Sequence, residues 1–196
     1  MGFLDALLGR SKPQAANLDH LFGLPGARIT LEATEGIMPT GQAGVCFKPG
    51  AGAGFEATET ELTQLLNLGD GPNQAQAPLA TLTPKPDSYG YQWIVINDTD
   101  FDSLVTRVHV VNSTLHEHGY DTQLLCSVFG FAKANEHASA YLVYLYKRGT
   151  FYAFVPTGSE KRDNEAEIRL KDLLVDDLSM EPELDRWFPL WELPVH

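Results

Sequence analysis

The run Tyr141-Leu-Val-Tyr-Leu-Tyr-Lys-Arg-Gly-Thr-Phe-Tyr-Ala-Phe-Val-Pro156 holds two aromatic-rich strand patterns that meet at Lys147-Arg148-Gly149-Thr150. A type I turn closed by a bulge suits this corner, with Gly149 supplying the left-handed backbone that a side chain would strain. A charged segment follows at once, and Asn164-x-x-Glu167 predicts the opening of a last long helix with Ile168, Leu173, Leu174 and Leu178 as its buried face and Leu170 nearer the margin. This block sets the core of a fold and names no chemistry.

Upstream, Tyr89 to Ile96 alternates Tyr91, Trp93 and Val95 with Gln92, Ile94 and Ile96, which predicts a strand covered on both faces. Asp98 or Asp100 can cap the helix that follows, where Leu104, Val105, Val108, Val111, Asn112 and Leu115 repeat at three and four residues up to a glycine stop at Gly119. Strands are expected near 123–131, 138–146 and 151–155. The second half therefore reads β-α-β-β-β-α, and the expected fold class is α+β: an antiparallel sheet with flanking helices rather than a doubly wound nucleotide fold.

The expected layout is one α+β domain over 1–196. It comprises an N-terminal apolar helix and tether (1–16), a smaller half (17–68), a Pro/Gly-rich linker (69–88) and a larger half (89–196). In the smaller half Asn17 can cap a short helix ending near Gly23, and Ala27 to Ala33 alternates apolar with polar as a half-buried strand does. A second strand is expected from Ala43 to Lys48, and Thr58-x-x-Glu61 predicts a capped helix carrying Leu62, Leu65 and Leu66 to about Leu68. The linker, with Pro72, Pro78, Pro84 and Pro86 among its breakers, reads as irregular because proline removes a backbone donor.

Charge narrows the function classes. The chain carries 26 acids against 14 bases, a formal charge of −12, which opposes binding to nucleic acid phosphates or adsorption of the whole body onto an anionic membrane. Its apolar runs all fall short of the ~20 residues that a spanning helix needs. The start, Met1-Gly-Phe-Leu-Asp-Ala-Leu-Leu8, does not have the pattern of a secretory signal, so the expected location is the cytoplasm. Cys46 and Cys126 both lie in apolar, strand-like surroundings and read as reduced core thiols.

The chemical motifs are weak. Gly50-Ala-Gly52-Ala-Gly54 lacks the spacing of a dinucleotide loop, and Glu59 and Glu61 would occupy the positive helix end that a phosphate requires. His109 and His116 share a helix face without the converging ligands that zinc demands. Ser127 and Ser159 sit in no recognisable nucleophile motif. The expectation is therefore no cofactor, no metal and no enzyme.

Two apolar segments offer more. Phe3, Leu4, Leu7 and Leu8 form one face of a helix too short to be stable alone in water, which needs the protein's own core, a partner helix or a lipid interface to pack on. Lipid contact by this segment would be weak, with only Arg10 and Lys12 nearby. At the other end Trp187, Phe188 and Trp191 are large aromatics set among acids, suited either to anchor a partner or to strap over a core. Lys147 and Arg148 at the hairpin tip form a small basic contact point or a solvated turn.

The start Met1-Gly-Phe-Leu-Asp, the block Val143-Tyr-Leu-Tyr-Lys-Arg-Gly-Thr-Phe-Tyr152 with Pro156-Thr-Gly158 and Arg162-Asp-Asn164, and the closing Arg186-Trp-Phe-Pro189 together resemble the PspA-associated protein PspAB family. The middle block is the specific part, and the resemblance runs nearly end to end apart from 70–88. Members are small, chiefly actinobacterial proteins. The resemblance implies a cytoplasmic accessory protein of the envelope-stress, or phage-shock, response, in which PspA polymerises on stressed membrane. It carries over no catalytic residues.

The leading expectation is a non-enzymatic adaptor that binds a PspA-like coiled-coil partner. Its contact residues would be drawn from Phe3, Leu4, Leu7, Leu8, Lys147, Arg148, Trp187, Phe188 and Trp191. One alternative is an enzyme or small-ligand protein with a site between sheet and helices, using some of His109, Asn112, His116 or Ser127. The other is a peripheral lipid-binding protein acting through the N-terminal helix.

Overall fold

In the computed structural model the described residues are 17–49, 80–83, 86–134, 136–158 and 160–196. The expected N-terminal helix, the glycine loop at 50–54 and the capped helix at 58–68 lie outside them.

The core element is a six-stranded antiparallel sheet, built from β1 (Met38–Phe47), β2 (Ala80–Leu82), β3 (Gln92–Asn97), β4 (Leu124–Ala132), β5 (Ala140–Leu145) and β6 (Thr150–Phe154) in the order β2-β3-β1-β4-β5-β6. A two-stranded ribbon, β7 (Pro156–Gly158) with β8 (Lys161–Arg162), follows. Among the described residues there are also three helices, α1 (Leu24–Glu35), α2 (Phe101–Glu117) and α3 (Asn164–Leu174), and short 3-10 turns at Leu18–Gly23 and Leu184–Arg186. The protein is thus mixed α+β, as the sequence pattern predicts.

The hairpin and the central helix form where their sequences place them. Gly149 closes the β5–β6 corner with φ +67°, and its amide returns to the Leu145 carbonyl. Asp100 caps α2 by accepting from the Ser103 amide at 2.7 Å, and Leu104, Val105, Val108, Val111, Asn112 and Leu115 are all buried. Gly119 follows the helix end with φ +81°.

Five local expectations are corrected. Ala27 to Ala33 is helical, within α1: Leu24, Ala27 and Leu31 are buried at helical spacing, whereas Ile29 is exposed. Spacings of two and of four coincide over so short a run, and Pro25 in the first turn with Gly36 left-handed at the end are the signals that decide for helix. The strand expected from Ala43 begins at Met38 instead. Within the linker, Ala80–Leu82 forms an edge strand on β3, the place where a short strand next to prolines is tolerated.

The fourth correction concerns α3. Asp163, not Asn164, caps it by accepting from the Ala166 amide, so the buried face shifts to Ala166, Glu167, Leu170 and Leu174. Ile168 is exposed, Leu173 only partly buried, and Leu178 buried beyond the helix end. The 3-10 turn after Asn17 forms without a side-chain cap; the Asn17 amide instead meets the His20 ring at 2.8 Å.

Strand alternation divides the core in two. On one face Val45, Ile96, Phe129, Phe131, Leu142, Tyr144 and Phe151 meet the helices, with α2 over β1, β3 and β4, and α3 over β6. On the other face Trp93, Cys126, Val128, Tyr141, Val143, Tyr152 and Phe154 meet the C-terminal tail. The free edge of β6 is occupied by residues 179–181: the Phe151 amide donates to Ser179 and its carbonyl accepts from Glu181, which closes an edge otherwise open to association.

Candidate functional site

The tail has no regular structure after Arg186, so side chains must satisfy its backbone. Tyr152 Oη donates to the Phe188 carbonyl at 2.8 Å, Tyr141 Oη to the Val195 carbonyl at 3.1 Å, and Arg162 Nη1 to the Trp187 carbonyl at 2.6 Å. Val195 is fully buried where Gly44 and Gly130 leave the sheet bare, and a Cβ on Gly130 would lie 3.1 Å from a Val195 methyl and 2.9 Å from Thr40 Oγ1.

Two buried carboxylates tether the tail. Glu167 accepts from Arg162 Nε and from the Val155 amide, each at 2.8 Å, while the Arg162 guanidinium lies 5.2 Å from the Phe154 ring centre. Glu181 is held bidentately by Arg148 and accepts from Thr150 Oγ1 at 2.7 Å and the Glu183 amide at 3.1 Å. Burial works to raise the Glu181 pKa, but those hydrogen bonds and the Arg148 charge leave it below the ordinary glutamate value.

Between tail and sheet lies a cavity of about 340 Å³. Trp93, Tyr152, Cys46 and Cys126 come from the sheet, Tyr89 and Tyr91 from the turn before β3, and Phe188, Leu190 and Trp191 from the tail. Asp87 and Glu192 are its acids. Asp87 is fixed by the amides of Tyr89 and Tyr91 and by Trp93 Nε1, and Glu192 accepts from the Ser88 amide, which lowers its pKa. Among the described residues Tyr89 and Phe188 are each 59% exposed. The chemistry is that of an apolar, aromatic receptor with an acidic element, suited to an apolar group that carries or adjoins positive charge.

Cys46 and Cys126 are direct partners in the β1–β4 register, and both are free, buried thiols. The Cys126 thiol, then burial, push the Cys46 thiol far above its usual titration range, with Asp87 adding to the shift. Burial likewise raises the Tyr152 phenol. Among the described residues no group of three or more His, Cys, Asp or Glu is placed to hold a metal ion.

The expected contact residues separate. Trp187 is buried, with its ring 5.8 Å from Tyr152 and Nε1 donating to the Glu181 carbonyl. Trp191 is half-buried against Phe154, Phe188 is exposed, and both line the cavity. Lys147 is exposed at the hairpin tip, whereas Arg148 is engaged by Glu181 and Glu183. Phe3, Leu4, Leu7 and Leu8 lie outside the described residues.

The polar residues considered between sheet and helices do not form one constellation. Asn112 and Ser127 meet at 2.9 Å, both buried. His109 packs on Phe22, and His116 meets Tyr146 Oη at 3.0 Å. The cavity instead uses residues that local sequence did not single out, above all Asp87, Tyr89 and Tyr152. The available signal was the alternation of Tyr91 and Trp93 at the entry to β3 together with the two strand-borne cysteines.

Among the described residues no helix is long and apolar enough to cross a membrane. Comparison with curated proteins and with solved structures finds no match. A family model, PspA associated protein B, matches residues 1–195, and the chain belongs to that family.

Proposed function

We propose that the protein is a non-enzymatic, cytoplasmic adaptor of a PspA-type envelope-stress system, and that its aromatic cavity receives an apolar side chain from a helix of the PspA-type partner. The observation that carries this is the pairing of a cavity of about 340 Å³ with exposed Phe188 and Tyr89 beside it. Family membership supports a link to PspA. Exposed aromatics flanking an apolar pocket are the usual makings of a binding hot spot. With Asp87, Glu192 and a net charge of −12, the favoured helix presents Lys or Arg beside its apolar anchor.

The test is calorimetric titration of the full chain with a purified PspA-type protein from the same cell. Phe188→Asp should weaken binding roughly thirtyfold, the scale of losing a hot-spot residue. Its melting temperature should stay close to wild type, because the side chain is exposed. Full affinity in both Phe188→Asp and Tyr89→Asp would move the contact off this cavity, and a chain without residues 1–10 would then test the N-terminal route. Absence of binding by the wild-type chain would overturn the adaptor role.

A further inference from the structure

The chain has two cysteines, and folding sets them opposite one another on neighbouring strands. Both line the cavity beneath the tail. Directly opposed residues of an antiparallel pair lie about 4.5–5.5 Å apart at Cα. That separation falls within the roughly 4.4–6.8 Å that a disulfide bridges. Both side chains leave the same face of the sheet, into the cluster beneath the tail, so closure needs side-chain rotation and no exchange of strands. The cavity beside them also has room for a molecule of the size of hydrogen peroxide.

We infer that Cys46 and Cys126 form a two-electron oxidation site that closes to a cross-strand disulfide when a hydroperoxide enters the cavity. One thiol, as its thiolate, attacks a peroxide oxygen; the O–O bond breaks, leaving a sulfenic acid and, for hydrogen peroxide, one water. The facing thiol then attacks the sulfenic sulfur, the S–OH bond breaks, and the hydroxyl leaves as a second water with the thiol proton. Two thiols and one peroxide thus give one disulfide and two waters. Because the thiolate is the attacking species, the surroundings that keep Cys46 protonated make this a slow reaction. The reaction requires no partner and belongs to the open cavity, which a seated partner side chain would close to peroxide.

The experiment uses reduced full-length protein, treated natively with hydrogen peroxide, then denatured in N-ethylmaleimide and weighed intact. The expected product is a monomer lighter than the reduced chain by two hydrogens, carrying no maleimide, whose digest joins the peptides of Cys46 and Cys126. Retention of both maleimides after prolonged peroxide would overturn the site. So would sulfinic or sulfonic acids without the linked peptide, or cross-linked dimers alone. Cys126→Ser should give no internal link; if that variant fails to fold, the linked peptide from the wild-type chain decides the question.

Discussion

On the helix-covered face of the sheet, Phe129, Phe131 and Leu142 pack against aliphatic stripes of α1, α2 and α3. On the opposite face Trp93, Tyr141, Tyr152 and Phe154 meet an irregular tail. A helix satisfies most of its own backbone, so the side chains beneath it can be purely apolar. An unpaired tail cannot, and the sheet under it supplies Tyr141 and Tyr152, and the β7–β8 ribbon Arg162, as donors to tail carbonyls. The same irregularity leaves the cavity. One face of the sheet is closed packing, while the other combines closure with a receptor.

The sharpest break of this contrast is Phe129→Ala. Removing a fully buried ring under the helices should cost about 3–5 kcal/mol, measured as a lower denaturant midpoint with unchanged slope. Arg162→Ala acts on the tail side, leaving Glu167 buried without its cation and Trp187 without its carbonyl donor. A loss of about 3 kcal/mol is expected, at the lower end for a broken buried pair because Arg162 retains some contact with water. Early cleavage in the tail during limited proteolysis would distinguish tail release from general loosening.

Gly130→Ala should have a smaller effect, about 1–3 kcal/mol, because the new methyl meets Thr40 and Val195 in a filled niche. Carboxypeptidase should then release His196 and Val195 faster. If it does not, Val195 is not the peg that seats the tail.

The smallest expected effect lies on the acid limb of stability and concerns proton linkage. The folded pKa of Glu181 lies below its ordinary value of 4.5. Its contribution is therefore present above that value and lost as pH falls through the folded pKa. Glu181→Gln should flatten the fall in melting temperature below pH of about 4.5. An unchanged acid limb would show that the Arg148–Glu181 pair does not set it.

Much of the framework is legible locally. The Tyr141–Pro156 corner with Gly149, the stripe from Leu104 to Leu115 and the Asp100 cap need only neighbouring residues to be read, because turn geometry and period are short-range properties. The short run Ala27 to Ala33 is ambiguous between periods, and the edge strand Ala80–Leu82 is hidden by its prolines because β3 supplies its partner. Of the site, the aromatic tail and its Phe188 and Trp191 stand out in the sequence. Asp87, Tyr89 and Tyr152 do not, since nothing local brings them together.

The sequence by itself determined the β-α-β-β-β-α order of the second half, the central hairpin, the main helix and an acidic body, all encoded in composition and in spacings within a few residues. Only tertiary structure decided which sheet face receives helices and which receives the tail, that Arg148 serves Glu181, and that Cys46 faces Cys126 over a cavity. Strand register is a contact between segments distant in the chain, so no local pattern specifies it until the whole sheet is assembled.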